Sequence, residues 1–134
     1  QGFNMVGRII DVVPSYQFAG FSVARATVEK NRPLLVRFMK AMVLALRWMH
    51  GNADGAVGFL AKEMQLKPQH ARKGWEFYTQ TRFWPPDGDV TMEGLKNNTR
   101  FYAEQTGAKG PLPEPSKYVD RSYLLEALRD IDRR

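Results

Sequence analysis

The sequence predicts a mostly helical chain with an extended start: two short strands within residues 8–23, followed by about five helices. Three observations lead there. RIIDVVPSYQFAGFSV (8–23) is rich in β-branched and aromatic residues and is broken by Pro14 and Gly20, the pattern of two extended segments meeting at a turn. From about Thr27 onward, apolar residues recur at helical spacing. Pro, Gly and Asn then punctuate that run at intervals suited to helix ends.

The first long helix has Asn31 near its cap and Pro33 in its first turn, where a missing N–H is tolerated, and Gly51 and Asn52 close it. Leu34, Leu35, Phe38, Met39, Met42, Leu46 and Met49 form its apolar stripe, with Arg37, Lys40 and Arg47 opposite. A second helix follows Asn52, with Val57, Leu60, Ala61 and Met64 at core spacing. Pro68 starts a third, in which Ala71, Trp75, Tyr78 and Arg82 share a face, and FWPPDGD ends it because two prolines force an extended turn. Thr91 is placed to cap a fourth, with Met92, Leu95, Thr99 and Tyr102 inward and Gly107 at its end. GPLPEP is a stiff connector, after which Asp120 caps a last helix and Val119 staples onto Leu124, ahead of Leu128 and Ile131.

These elements leave an imbalance. Strands need partners, since open N–H and C=O groups are costly when buried and adhesive when exposed. The stripe from Phe38 to Met49 is likewise wide enough to cover more than one neighbour. Its charges, and the shortness of each uninterrupted apolar run, exclude a membrane span, which needs about 20 apolar residues.

At 134 residues, 43% hydrophobic and 25% charged, the chain is one globular domain's worth, and neither disorder nor a fibrous class is indicated. The absence of cysteine excludes disulfides, thiolate catalysis and thiolate metal sites. A net charge of +6 raises a nucleic-acid reading. Between Arg25 and Arg47, however, six basic residues (Arg25, Lys30, Arg32, Arg37, Lys40, Arg47) stand against Glu29 alone. Nearly all the excess therefore sits on one helical region, where a solvated face or docking patch is the simpler account.

No residue set for catalysis emerges, and neither a metal nor a cofactor is expected. His50 and His70 lie twenty residues apart without ligand company. Asp87-Gly88-Asp89 begins like a calcium loop, but Met92 and Asn98 occupy the positions of its Gly and bidentate Glu. There is no phosphate-binding Gly-rich loop, and Gly20-Phe21-Ser22-Val23-Ala24 lacks the last Gly of a nucleophile elbow. Asn97-Asn98-Thr99 matches a glycosylation sequon. Tyr16 and Phe18 flank a turn where side chains can line a cleft. Trp75, Phe83 and Trp84 are candidates for the same role, though core packing is the simpler account for the two tryptophans.

The order of segments resembles a known family. The P-x-Y turn (Pro14, Tyr16), the E-K-N-x-P helix start (Glu29, Lys30, Asn31, Pro33), Arg47-Trp48 near a helix end and the N-A-D-x-A start (Asn52, Ala53, Asp54, Ala56) come in sequence. PPDGDVTMEGL, AEQTGA and PLPEPSKYVDRSYLLEAL follow. Together they are similar to the C-terminal part of ABC-importer solute-binding proteins of the nitrate, taurine, alkanesulfonate and thiamine-precursor group.

The resemblance runs from about Arg8 to Ile131. It implies an α/β fold of the periplasmic-binding-protein type II class, of which residues 1–134 supply one C-terminal fragment. Its parts are a crossover over 8–23, helices over 27–106, a Pro-rich connector over 107–118 and a terminal helix over 119–134. It implies a non-enzymatic substrate-binding component, with Pro14, Ser15, Tyr16 and Gln17 at the ligand cleft. The implied partners are a small solute, shared with a missing lobe, and an ABC permease. The implied location is periplasmic or extracytoplasmic, its signal peptide lying outside QGFNMVG or already removed. No nucleic acid is expected, and the isolated fragment has room to form a homodimer. The alternative is a small basic helical module that binds nucleic acid or a protein.

Overall fold

The computed structural model describes Asn4 and residues 6–133. The described residues are 65% helix and contain no strand. This corrects the expected α/β class with two short strands. In chain order the helices are α1 (Ile9–Val12), α2 (Arg25–Lys30), α3 (Arg32–Gly51), α4 (Ala53–Glu63), α5 (Pro68–Gln80), α6 (Met92–Thr106), a 3₁₀ turn (Pro115–Tyr118) and α7 (Ser122–Asp132).

The strands fail for want of a ladder. Two isolated strands are at best marginal in water, and here local bonding competes well. Arg8 donates to Asp11 through Nε (3.0 Å) and Nη2 (2.7 Å), spanning one helical turn. That pair lowers the Asp11 pKa from its ordinary value. Residues 13–23 remain without regular secondary structure. Between Val13 and Phe18, half-buried and exposed residues alternate as on a strand. The partner of this segment is a helix rather than a strand.

The chain divides into two compact units: the described part of Gln1–Val23 with Val90–Asp120, and Ala24–Asp89 with the described part of Arg121–Arg134. In the second, α3 packs on α7 and α4, α4 on α5, and α2 on α3. Its buried residues are few and small: Val36, Val43, Ala56, Val57, Ala71, Leu124 and Ala127. Asn52 caps α4 by accepting from the Gly55 amide at 3.0 Å. Tyr78 packs at ring-centroid distances of 4.9 Å from Phe83 and 4.8 Å from Trp84. The Trp75 indole donates to the Met49 carbonyl (3.0 Å).

Of the stripe expected to face the core of α3, Leu35, Met39, Met42, Leu46 and Met49 are half-buried, and the most deeply buried residues lie beside it. Val36 and Val43 are buried, while Leu34 and Phe38 are exposed. The contact of α3 with α7 is accompanied by ion pairs to the C-terminal region. Lys40 pairs with Asp130, Arg32 with Glu126 (2.7 Å), and Arg47 with Asp132 (2.9 Å) and Asp87 (2.7 Å). Met64, just after α4, is also exposed rather than buried.

The Lys40 ammonium, hydrogen-bonded to Asp130, holds that carboxyl below the usual carboxylate range. A depressed folded pKa stabilises above the unfolded value, near 3.9, and the benefit is lost as pH falls through the lower folded value. Asp130→Asn should therefore lower the melting temperature at neutral pH, and the gap from the unmodified protein should close as the pH is taken below about 4. Melting scans across that range check it.

Candidate functional site

The expected ligand residues lie in the first unit, drawn out along α6. Thr91 starts that helix by accepting from the Gly94 amide (3.2 Å), and Gly107, with φ of +65°, ends it in the left-handed conformation. Two adjacent asparagines in its middle turn back onto the extended segment. Asn98 Oδ1 accepts from the Gln17 amide (3.2 Å) while its Nδ2 donates to the Gln17 carbonyl (2.7 Å). One side-chain amide thereby makes the paired bonds that a neighbouring strand would make. Asn97 Nδ2 donates to the Ser15 carbonyl (2.6 Å).

Gln17 completes the clamp from its own side. Its Oε1 accepts from the Thr91 amide (3.0 Å) and its Nε2 donates to the Ala19 carbonyl (2.7 Å). Gly94 is what lets the backbones meet: a Cβ there would stand 2.8 Å from the Gln17 nitrogen and 3.2 Å from the Tyr16 carbonyl carbon. Glycine inside a helix costs about 1 kcal/mol relative to alanine, and this contact is the reason for it.

The four expected residues therefore divide. Ser15 and Gln17 are half-buried, and their backbone groups are engaged by α6. Pro14 and Tyr16 are exposed, and Tyr16 lies 6.2 Å from Phe101 between ring centroids. Sequence reading misses Asn97 and Asn98 as structural residues. The sequon it finds there is occupied, since the Asn97 nitrogen that glycosylation would modify already donates to Ser15.

Asn98 also lines a pocket of about 480 Å³ within the same unit. Its walls are the Leu95, Tyr102 and Ala103 side of α6 and the connector Ala108 to Pro113, with Tyr118. Pro111 and Pro113 stiffen the connector, and Pro115, at the start of the 3₁₀ turn packed on α6, is buried. Tyr102, expected to face inward, is instead 69% exposed, which places its ring at the pocket rim. The polar groups there are mostly committed: Asn98 to Gln17, and the Thr99 hydroxyl to the Lys96 carbonyl (2.8 Å). Lys109 makes no ion pair among the described residues. The pocket thus offers apolar walls, two phenols and one available cation.

No family model, curated protein or solved structure matches the chain.

Elsewhere the chemistry is sparse. No cluster of three metal-ligating side chains occurs among the described residues. His50 is held by the Trp84 carbonyl (2.7 Å from Nε2). An open concavity of about 630 Å³ in the second unit is lined by Arg32, Leu125, Leu128 and Arg129. Arg32 is paired there with Glu126, and Arg129 Nε donates to the Leu125 carbonyl. No helix among the described residues is long and apolar enough to cross a membrane.

Proposed function

We propose that the chain is the C-terminal part of the extracytoplasmic solute-binding component of an ABC importer, and that its share of the solute site is the pocket beside α6. The observation that carries this reading is the pocket's composition. About 480 Å³ of largely apolar space with one available cation, Lys109, lies against the helix that pins the 15–17 segment. Small-molecule sites have this size and this ratio of apolar wall to directing polar group. The order of motifs from Arg8 to Ile131 supports the same reading, and the other wall of the site would come from a lobe outside this sequence. A solute touching both lobes favours the closed state only through its differential affinity for it, and the permease reads that state.

The nucleic-acid alternative is weakened because Arg32, Lys40 and Arg47, half of the basic cluster, are paired with acidic residues. Arg25, Lys30 and Arg37 are the members without an ion pair among the described residues.

One lobe alone should bind weakly, so the test is amide chemical-shift mapping with millimolar aromatic and aliphatic sulfonates and carboxylates. The expected result is saturable movement of Lys109, Tyr102 and Tyr118 resonances, lost in Lys109→Gln. Unmoved resonances at those positions across the whole panel would sink the pocket assignment.

A further inference from the structure

The turn between α4 and α5 presents apolar and basic side chains together. Residues 62–70 are exposed without a break. In and beside that run, Phe59 is 60% exposed, Met64 62% and Leu66 39%. Phe59 and Lys62 stand one helical turn apart on the side of α4 turned away from the buried Ala56 and Val57. Lys67 precedes α5, and Lys73 lies on the side of α5 away from the buried Ala71.

The turn has a defined backbone. The Leu66 amide donates to the Ala61 carbonyl (2.9 Å) and the Gln65 amide to the Lys62 carbonyl (3.4 Å), with Gln65 in the left-handed region at φ of +52°. These are the paired bonds that close a helix C-terminus. The last carbonyls of α4 are thus satisfied by backbone, with no side chain folded back over them. Charge is concentrated here as well: over residues 59–73, Lys62, Lys67, Arg72 and Lys73 stand against Glu63 alone. Arg72 pairs with Asp54, and Lys62 only with its neighbour Glu63 at 3.9 Å, a contact between exposed groups that holds little. Lys67 and Lys73 make no ion pair among the described residues.

We infer that this turn docks on the surface of an anionic lipid bilayer, with Phe59, Met64 and Leu66 entering the boundary between headgroups and acyl chains and Lys62, Lys67 and Lys73 against the phosphates. Attachment of a surface element to a membrane grows with the apolar area it buries and with its attraction to anionic headgroups, and this short stretch supplies both. Other occupants fit less well. A second copy docking through the same turn would bring like charges together. A nucleic acid would engage the lysines but leave Met64 and Leu66 in water, since neither has a flat face on which a base can stack.

Co-sedimentation of the full chain with lipid vesicles tests the inference. Vesicles of mixed phosphatidylglycerol and phosphatidylcholine should carry the chain down at low salt, and vesicles of phosphatidylcholine alone should not. A net charge of +6 draws the chain toward any anionic surface, so the variants must separate docking from general attraction. Lys67→Glu with Lys73→Glu should weaken partitioning at least about tenfold, since each lysine close to such a surface contributes about fivefold. Arg25→Glu with Arg37→Glu makes the same change of charge at two other exposed residues and should weaken it by about threefold at most, because charges held away from the surface are screened. Phe59→Gln with Met64→Gln should weaken it at least about tenfold with unchanged helical circular dichroism. Absence of binding to the anionic vesicles overturns the inference. So do equal losses from the two charge-reversal pairs, binding that Phe59→Gln with Met64→Gln leaves intact, or a chain that binds DNA but no vesicle. None of these readouts involves the pocket beside α6, so the solute reading stands or falls separately.

Discussion

Replacing Gly94 by alanine should loosen the 15–17 segment from α6, while the same replacement at Gly74 should stabilise the protein. Both glycines lie within helices, so exchanging either for alanine removes the ~0.5–1 kcal/mol penalty of glycine in a helix. They differ in what a new methyl group meets. At Gly74 nothing lies within 4 Å, and the gain is realised in full. At Gly94 the methyl would stand 2.8 Å from the Gln17 nitrogen, with Thr91 Oγ1 closer still. The Gln17 nitrogen is backbone, so no side-chain rotation relieves the clash. Overpacking of this kind costs about 1–3 kcal/mol, which outweighs the propensity gain.

The loss should also be local. The Gln17 amide, which donates to Asn98, should lose hydrogen-exchange protection in Gly94→Ala, whereas amides within α3 and α7 keep theirs. If Gly94→Ala and Gly74→Ala stabilise alike, the extended segment does not lie on α6.

Helix ends were the most legible part of the sequence because their signals are local. Thr91 and Gly107 bound α6, Asn52 caps α4 and Pro68 opens α5, each acting within a turn of its own position. Tertiary choices were less legible. α3 is apolar over so much of its circumference that periodicity alone cannot say which side is covered. The helix it packs on, α7, lies some 90 residues away, beyond the reach of any local pattern. The expected strands misled for a related reason. Val13 to Gln17 has the alternation of a strand, but its hydrogen-bond partner is a pair of helical asparagine side chains.

A signal for that clamp was present. Two adjacent asparagines in a helix interior are unfavourable, because their amides compete for backbone groups. Gly94, one turn earlier in the same helix, adds a second unfavourable choice. Poor helix formers grouped in one helix mark a place where another backbone comes close. The pocket was not legible: none of Pro14, Ser15, Tyr16 and Gln17 lines it, and Tyr102 and Lys109 had no distinguishing pattern.

Leu124→Ala should be the most damaging truncation in the second unit. Leu124 is 4% exposed and lies on α7, the helix that packs along α3. The buried residues of this unit are otherwise valines and alanines, so Leu124 is the largest side chain among them. Large-to-small changes at such sites cost about 2–5 kcal/mol, with the upper part of the range where the surroundings cannot collapse. A domain of ordinary stability has only about 5–15 kcal/mol in all. For a unit of this size each kcal/mol corresponds to roughly 4–8 °C, so the melting temperature should fall by at least about 8 °C.

Leu125→Ala supplies the contrast one position along. Leu125 is 45% exposed, and its truncation should change stability by about 0.5 kcal/mol or less. Equal losses from the two variants would mean that α7 presents a different side to α3. The ion pairs of Arg32, Lys40 and Arg47 with Glu126, Asp130 and Asp132 would then be misassigned together with the core.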